Sequence, residues 1–178
     1  MKKKFLLHTC CATCAGHVIN ILKESGFDVT AFLYNPNIHP KDEYIKRMQD
    51  IKEYCLKNLV EFIEGIYDSD KWLKLTKGLE QEPEGGERCK VCFRMRLKHT
   101  AEYAKKHNFD VFGTTLTISP HKDAGVVNMI GKELENEFKV DFQDDDWKKQ
   151  DGFKCACELA KNEGFYKQNY CGCVYSKN

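Results

Sequence analysis

The stretch Phe5-Leu-Leu-His-Thr-Cys-Cys-Ala-Thr-Cys14 reads as a short apolar strand that runs into three cysteines at the mouth of a helix. Residues 4–9, with Phe5-Leu6-Leu7 at their centre, read as a buried strand. Residues 14–25 continue as a helix, with Cys14, Val18, Ile21 and Leu22 at helical spacing and Gly26 after its end. Cys10 and Cys11 are adjacent, and adjacent cysteines rarely pair with each other because disulfide geometry wants their Cα atoms well apart. A metal site has no such objection. A helix N-terminus also stabilises negative charge, so thiolates are favoured there.

The same alternation continues outward. Residues 28–34 read as a second strand, 35–40 as a loop by its turn residues, and 41–57 as a helix with Ile45, Met48, Ile51 and Cys55 on one face. Pro40 suits the first turn of that helix. A third strand is predicted at 59–63, a helix at 70–78, a polar loop at 80–87 and a helix at 90–107. A strand at 110–118 leads into Ser119-Pro-His-Lys-Asp123. A helix at 123–137, a strand at 139–142 and a helix at 153–163 precede the tail Tyr170-Cys-Gly-Cys173. Strands alternating with helices predict an α/β domain of three layers with a mainly parallel sheet, plus a cysteine-bearing C-terminal segment. Ligands of such sheets sit beyond the carboxyl ends of the strands, where Cys10–Cys14 and Ser119–Asp123 both fall. No repeat or linker divides residues 1–178, which are expected to form a single catalytic domain.

The chain has 178 residues, 42% hydrophobic and 31% charged, enough to bury a core. No apolar run is long enough to span a membrane. Lys2-Lys3-Lys4 precedes only Phe5-Leu6-Leu7 before polar residues, which is not the pattern of a signal peptide. A cytoplasmic protein with no membrane partner is therefore expected. In a reducing compartment ten cysteines point to metal or redox chemistry rather than structural disulfides. The net charge is only +1, so a nucleic-acid partner would need a local basic patch.

Cys89 and Cys92 lie one turn apart at the start of a helix, a common half-site for zinc and for iron–sulfur clusters. With Cys10 and Cys11 they complete four thiolates. A structural zinc and a [4Fe–4S] cluster both take such a set, and the adjacent cysteines, unusual in small zinc ribbons, tilt the reading toward iron. Cys171 and Cys173 flank a glycine, so they could ligate a metal together or close a strained, easily reduced disulfide. Cys14 is a further thiol within reach of the same region. Cys155 and Cys157, at i and i+2 on a helix, point to roughly opposite sides at ~100° per residue and make poor joint ligands. They are expected to fill space, as is Cys55 on its apolar stripe.

Other polar groups carry two readings each. His8 is a satisfied core histidine or a proton donor. His121, Lys122 and Asp123 are a helix start or a substrate-binding turn. Asn35, Asn37 and His39 are turn residues or part of a site. Lys90, Arg94, Arg96 and Lys98 are a solvated face, or they neutralise a thiolate cluster and hold phosphates. Tyr166, Tyr170 and Tyr175 close over the core or stack on a base. No phosphate loop of the P-loop or dinucleotide type and no serine elbow occurs, which disfavours tightly bound ATP or NAD.

Five blocks together resemble the QueH family of epoxyqueuosine reductases. They are His8-Thr-Cys-Cys-Ala-Thr-Cys14, Tyr34-Asn-Pro-Asn-Ile-His-Pro40, Arg88-Cys-Lys-Val-Cys-Phe-Arg-Met-Arg-Leu97, Thr114-Thr-Leu-Thr-Ile-Ser-Pro-His-Lys-Asp123 and Tyr170-Cys-Gly-Cys173. The resemblance implies a nucleotide-binding-like (HUP-type) domain that reduces the epoxide of epoxyqueuosine in tRNA to queuosine, the last step of queuosine synthesis. It implies a [4Fe–4S] cluster on Cys10, Cys11, Cys89 and Cys92. A single iron is associated with the family, and Cys14, Cys171 and Cys173 are the residues carried over for it, Cys171 and Cys173 being alternatively a redox-active pair. Under this reading His8 and His121 serve proton transfer, Asn35, Asn37, Lys122, Asp123, Arg94 and Arg96 bind substrate, and an unidentified donor supplies electrons. Cys155 and Cys157 depart from the family pattern. The rival readings are a zinc-stabilised tRNA-binding module without catalysis and a small electron carrier.

Overall fold

The computed structural model describes residues 1–176. Five strands, β1 (Lys4–Thr9), β2 (Asp28–Leu33), β3 (Glu61–Glu64), β4 (Val111–Thr114) and β5 (Asp141–Phe142), form one all-parallel sheet in the order β3-β2-β1-β4-β5. The helices are α1 (Ala12–Glu24), α2 (Lys41–Lys57), α3 (Ser69–Leu75), α4 (Glu87–Lys106), α5 (Ala124–Phe138) and α6 (Gly152–Glu163). Parallel neighbours need crossover connections, and the intervening helices supply them and cover the sheet.

The central position of β1 follows from its composition. Phe5, Leu6 and Leu7 are fully buried, and so are Ala31, Phe32 and Leu33 beside them. β1 pairs with β2 on one side, where Leu7 faces Ala31, and with β4 on the other, where Leu7 faces Gly113. From β1 the chain proceeds outward through β2 and β3, then returns to the other side for β4 and β5. The reversal lies between β1 and β4, and this opens a crevice beyond their carboxyl ends.

The strand predicted at 110–118 stops at Thr114, and residues 116–118 form a turn of 3-10 helix. The Leu116 N–H donates to Thr114 Oγ1 at 3.1 Å and the Thr115 N–H to His8 O at 3.0 Å. A side-chain hydroxyl thus offers the backbone an alternative to the sheet ladder. The helix predicted at 14–25 begins earlier, at Ala12, with Cys11 in extended geometry at its N-cap. The helix predicted at 90–107 begins at Glu87, placing Cys89 and Cys92 in its first two turns. Among the described residues no helix is long and apolar enough to cross a membrane.

α5 packs against β5 so closely that a Cβ on Gly131 would lie 2.2 Å from the buried Phe142 ring. Gly131→Ala is expected to cost about 1–3 kcal/mol through overpacking. Thermal unfolding checks this, with a midpoint lower by roughly 2–4 °C per kcal/mol.

Candidate metal centre and substrate cleft

The site begins with a brace at the end of β1. His8 is fully buried and lies between two strand ends. Its Nε2 is 3.1 Å from Tyr34 O, just after β2, and its Nδ1 is 2.9 Å from Thr114 Oγ1, at the end of β4. A carbonyl only accepts, so Nε2 carries the proton and Nδ1 accepts from the threonine hydroxyl. Burial, and then the Arg96 charge, lower the His8 pKa to about 3, so the ring stays neutral. A neutral ring whose one proton is engaged by a backbone carbonyl holds three strand ends together rather than supplying acid.

Two residues on, the three thiols follow. The Sγ atoms of Cys10, Cys11 and Cys14 lie within 4.8 Å of one another, with Cys10 and Cys11 3.9 Å apart. Cys10 Sγ is also 3.8 Å from Thr115 Oγ1, and Gln168 Nε2 donates to Cys11 Sγ at 3.3 Å. Hydrogen bonds from Cys11 and Cys14, then the charges of Arg96 and Lys122, draw Cys10 well below the ordinary thiol range against the opposing effect of burial. The Cys10 sulfur in turn pushes Cys11 up to about 12 and Cys14 upward too. Among the three sulfurs, at the amino end of α1, Cys10 is the one whose thiolate is favoured.

The remaining thiols come from α4 and the tail. Cys89 Sγ accepts from the Gly85 N–H at 3.2 Å, and Cys92 is buried one turn further on. Arg47 on α2 fastens the tail, donating to Cys171 O and to Tyr170 O at 3.0 Å each. Gly172 has φ +104°, and a Cβ there would sit 2.9 Å from Ile38, so only glycine suits the bend between Cys171 and Cys173. Burial, with the Cys171 sulfur adding to it, raises Cys89, Cys92 (to about 11) and Cys173.

Three cations face these sulfurs. Arg88 and Arg96 are 3% and 2% exposed, and Lys122 lines the cleft. Among the described residues none of the three forms an ion pair with a carboxylate. Arg88 donates to the carbonyls of Leu79, Glu80 and Glu82, and Arg96 to Asn35 Oδ1 at 2.6 Å. Burial works to lower the Lys122 pKa, yet Cys171, Cys10 and Cys14 outweigh it and raise the ammonium. The Nε atoms of Arg88 and Arg96 and the Nε1 of Trp72 are buried donors with no hydrogen-bond partner among the described residues. Trp72 and Arg96 lie beside Cys92, and Arg88 lies beside Cys173. Buried charge of one sign demands a counter-charge. An anionic, sulfur-rich group held by thiolates supplies both that charge and acceptors for the orphaned donors, so the residues fit an iron–sulfur cofactor.

These groups border a cleft of about 770 Å³, whose lining includes Cys10, Cys14, Cys171, Arg96 and Lys122. That volume suits a nucleoside-sized ligand. A side pocket next to it is lined by Cys89 and Cys171 together with Lys122. Of the other predicted residues, His121 is exposed on the cleft wall. Asp123 caps α5, accepting from the N–H groups of Gly125 and Val126. Asn35 and Asn37 are buried behind the wall, where Asn35 Nδ2 donates to Thr9 O. Arg94 pairs with Glu133 across α4 and α5 and does not line the cleft. Cys155 is half-buried, whereas Cys157 is exposed and lines the cleft instead of filling space. Arg47, Trp72 and Gln168 escaped the sequence reading. Only Trp72 carried a signal, as a large aromatic in a short polar helix.

The model of the family described as Epoxyqueuosine reductase QueH matches residues 5–178. The chain belongs to this family. Membership makes it an oxidoreductase. The epoxyqueuosine reductase QueH of Haemophilus influenzae is 44% identical over 174 residues, 97% of this chain and 71% of the relative. That of Acinetobacter baylyi is 42% identical over 97% of this chain and 80% of the relative. That of Thermotoga maritima is 34% identical over 96% and 88%. Among solved structures, the U34-tRNA thiolase NcsA from Methanococcus maripaludis with its [4Fe-4S] cluster superposes at a TM-score of 0.64 and 14% identity. The match covers 99% of this chain, which spans only 61% of that thiolase. The predicted subunit of tRNA methyltransferase from Methanocaldococcus jannaschii gives 0.60 at 12% identity, over 88% of this chain and 74% of that one. At such identities the likeness is one of fold, and it agrees with the layered α/β domain and parallel sheet expected from the sequence.

Thr114→Val keeps the shape but removes the hydroxyl that faces His8 Nδ1 and the Leu116 N–H. Leaving these buried groups unsatisfied is expected to cost about 1–3 kcal/mol. Urea unfolding reads it as a lower midpoint with an unchanged slope, and an unaltered midpoint would contradict the bracing role of His8.

Proposed function

We propose that residues 1–178 act as one catalytic domain, an iron–sulfur-dependent epoxyqueuosine reductase that acts on tRNA in the cytoplasm. The observation that carries this reading is the pairing of buried, carboxylate-free cations with seven thiols, in a chain of this family. Cys10, Cys11, Cys89 and Cys92 are the proposed ligands of a [4Fe–4S] cluster. Cys14, Cys171 and Cys173 hold a single iron or, for the last two, cycle between dithiol and disulfide. The close approach of Cys14 to both Cys10 and Cys11 favours a second division of the same thiols. In it Cys10, Cys11 and Cys14 share the lone iron, and Cys89, Cys92, Cys171 and Cys173 hold the cluster.

The bound metal groups supply single electrons and a Lewis acid for the epoxide oxygen. Removal of that oxygen consumes two electrons and two protons, gives the alkene and releases water. The electrons come from an external donor. The cleft takes the modified base splayed out from the anticodon loop. Lys122 Nζ faces the departing oxygen, and the His121 imidazole on the open wall passes a proton to it. Asp123 holds that turn in place by capping α5. His8 contributes by position, keeping the backbone at Cys10 fixed, and Asn35 and Asn37 support Arg96 and the loop behind it. Arg94 assists RNA only by giving up its pairing with Glu133.

The anaerobically purified chain, given a chemical reductant, is expected to convert epoxyqueuosine in tRNA to queuosine, read by mass spectrometry of digested nucleosides. Cys89→Ser should lose the visible absorption and the turnover, while Cys55→Ser, in the core, keeps both. Full turnover by Cys89→Ser would sink the ligand assignment. Retained tRNA affinity in a colourless, inactive wild type would select the zinc module. Under the first division Cys14→Ser and Cys173→Ser both lose only the lone iron. Under the second, Cys173→Ser also loses sulfide.

A further inference from the structure

α6 carries two adjacent stripes. Gly152 and Ala156 are buried, and Leu159 meets Gly16 of α1 so closely that a Cβ there would sit 2.8 Å from its Cδ2. That stripe is explained by packing. Phe153, Cys157, Ala160 and Lys161 recur at four, seven and eight residues, the spacing of one helical face. All four line the cleft. Phe153 is 40% exposed, an aromatic ring turned toward a wet cavity instead of the core. Beyond the helix the same wall continues through Phe165 and Lys167. Among the described residues neither Lys161 nor Lys167 forms an ion pair, and Glu84 is the only acidic residue of this lining.

The wall therefore sets the exposed Phe153 ring, with the half-buried Phe165 behind it, beside cations that form no ion pair among the described residues, in the same cleft as the thiols. That is the pattern of a single-strand RNA platform, with a ring to stack on a base and ammonium groups to meet phosphates. We propose that this face of α6 grips the anticodon loop: Phe153 stacks on a base next to the modified one, and Lys161 and Lys167 pair with its phosphates. The inference rests on the reductase reading above and adds the residues by which the enzyme holds its RNA. Cys157, midway along the stripe, lies beneath the bound strand.

The test uses the metal-loaded chain of residues 1–178 and epoxyqueuosine-bearing tRNA, with binding followed by fluorescence anisotropy over a salt series. A single stacking contact is worth about tenfold in affinity, so Phe153→Ala is expected to bind about tenfold more weakly with an unchanged salt slope. For single strands each phosphate contact contributes about 0.7 to the slope of log affinity against log salt. The double variant Lys161→Gln/Lys167→Gln should therefore be shallower by about 1.4. Lys105→Gln, at the far end of α4, serves as the comparison and keeps the wild-type slope. Mass spectrometry after alkylation should find Cys157 labelled in the free enzyme and protected by tRNA. Wild-type affinity and slope in these variants, or Cys157 labelled equally with and without tRNA, overturns the inference and leaves the reductase reading standing if turnover persists. A metal-loaded wild type that neither binds nor reduces the tRNA overturns both.

Discussion

The hydrogen bonds around His8 are the constraint on which the site depends. One neutral imidazole ties the end of β1 to the backbone after β2 and to the threonine that ends β4. These are the strands on either side of the reversal in sheet order, where a doubly wound sheet opens its crevice. With the three ends locked, the chain leaves β1 in one direction only. Cys10, Cys11 and Cys14 then follow within a single turn of helix, and their sulfurs must meet. The Asn35 bond to Thr9 O and the Arg96 bond to Asn35 carry the same brace outward to α4. A fold requirement at His8 thereby becomes a positional requirement on the thiols.

Electrostatics supplies the second half of the design. Burying Arg88 and Arg96 near Lys122 with no carboxylate to match is costly unless anions arrive from elsewhere. Thiolates are those anions. One is already favoured at Cys10, where hydrogen bonds from Cys11 and Cys14, then the charges of Arg96 and Lys122, act together. The tail closes the arrangement. Arg47, itself paired with Glu43, pins the carbonyls of Tyr170 and Cys171, and Gly172 lets the chain turn tightly enough to present sulfur on both sides. The tail thereby brings its two thiols to the same cations that face the thiols of α1 and α4.

Much of this is legible in the sequence. The apolar run of β1 and its junction with a cysteine-bearing helix were plain, and so was the α/β alternation, because periodicity and turn residues report directly on local structure. What escaped depends on distant partners. Thr114 reads as a strand residue until His8 and Leu116 are seen to share its hydroxyl. Arg94 and Arg96 stand two residues apart and look alike in the sequence. On α4 they point roughly opposite ways, and only the position of α5 sends Arg94 to Glu133 and Arg96 to Asn35. Cys155 and Cys157 read alike in the sequence as space-filling residues, and the turn of α6 brings the second of them to the cleft. The grouping of thiols separated by some eighty residues follows from packing, which no spacing rule encodes.

The central claim is that dispersed cysteines converge to hold iron and sulfide. Its most direct test is elemental: the chain is purified without oxygen and its iron, acid-labile sulfide and zinc are counted per polypeptide. The account predicts about four sulfides and between about four and five irons, with little zinc. Zinc in place of iron, with no sulfide, would contradict it.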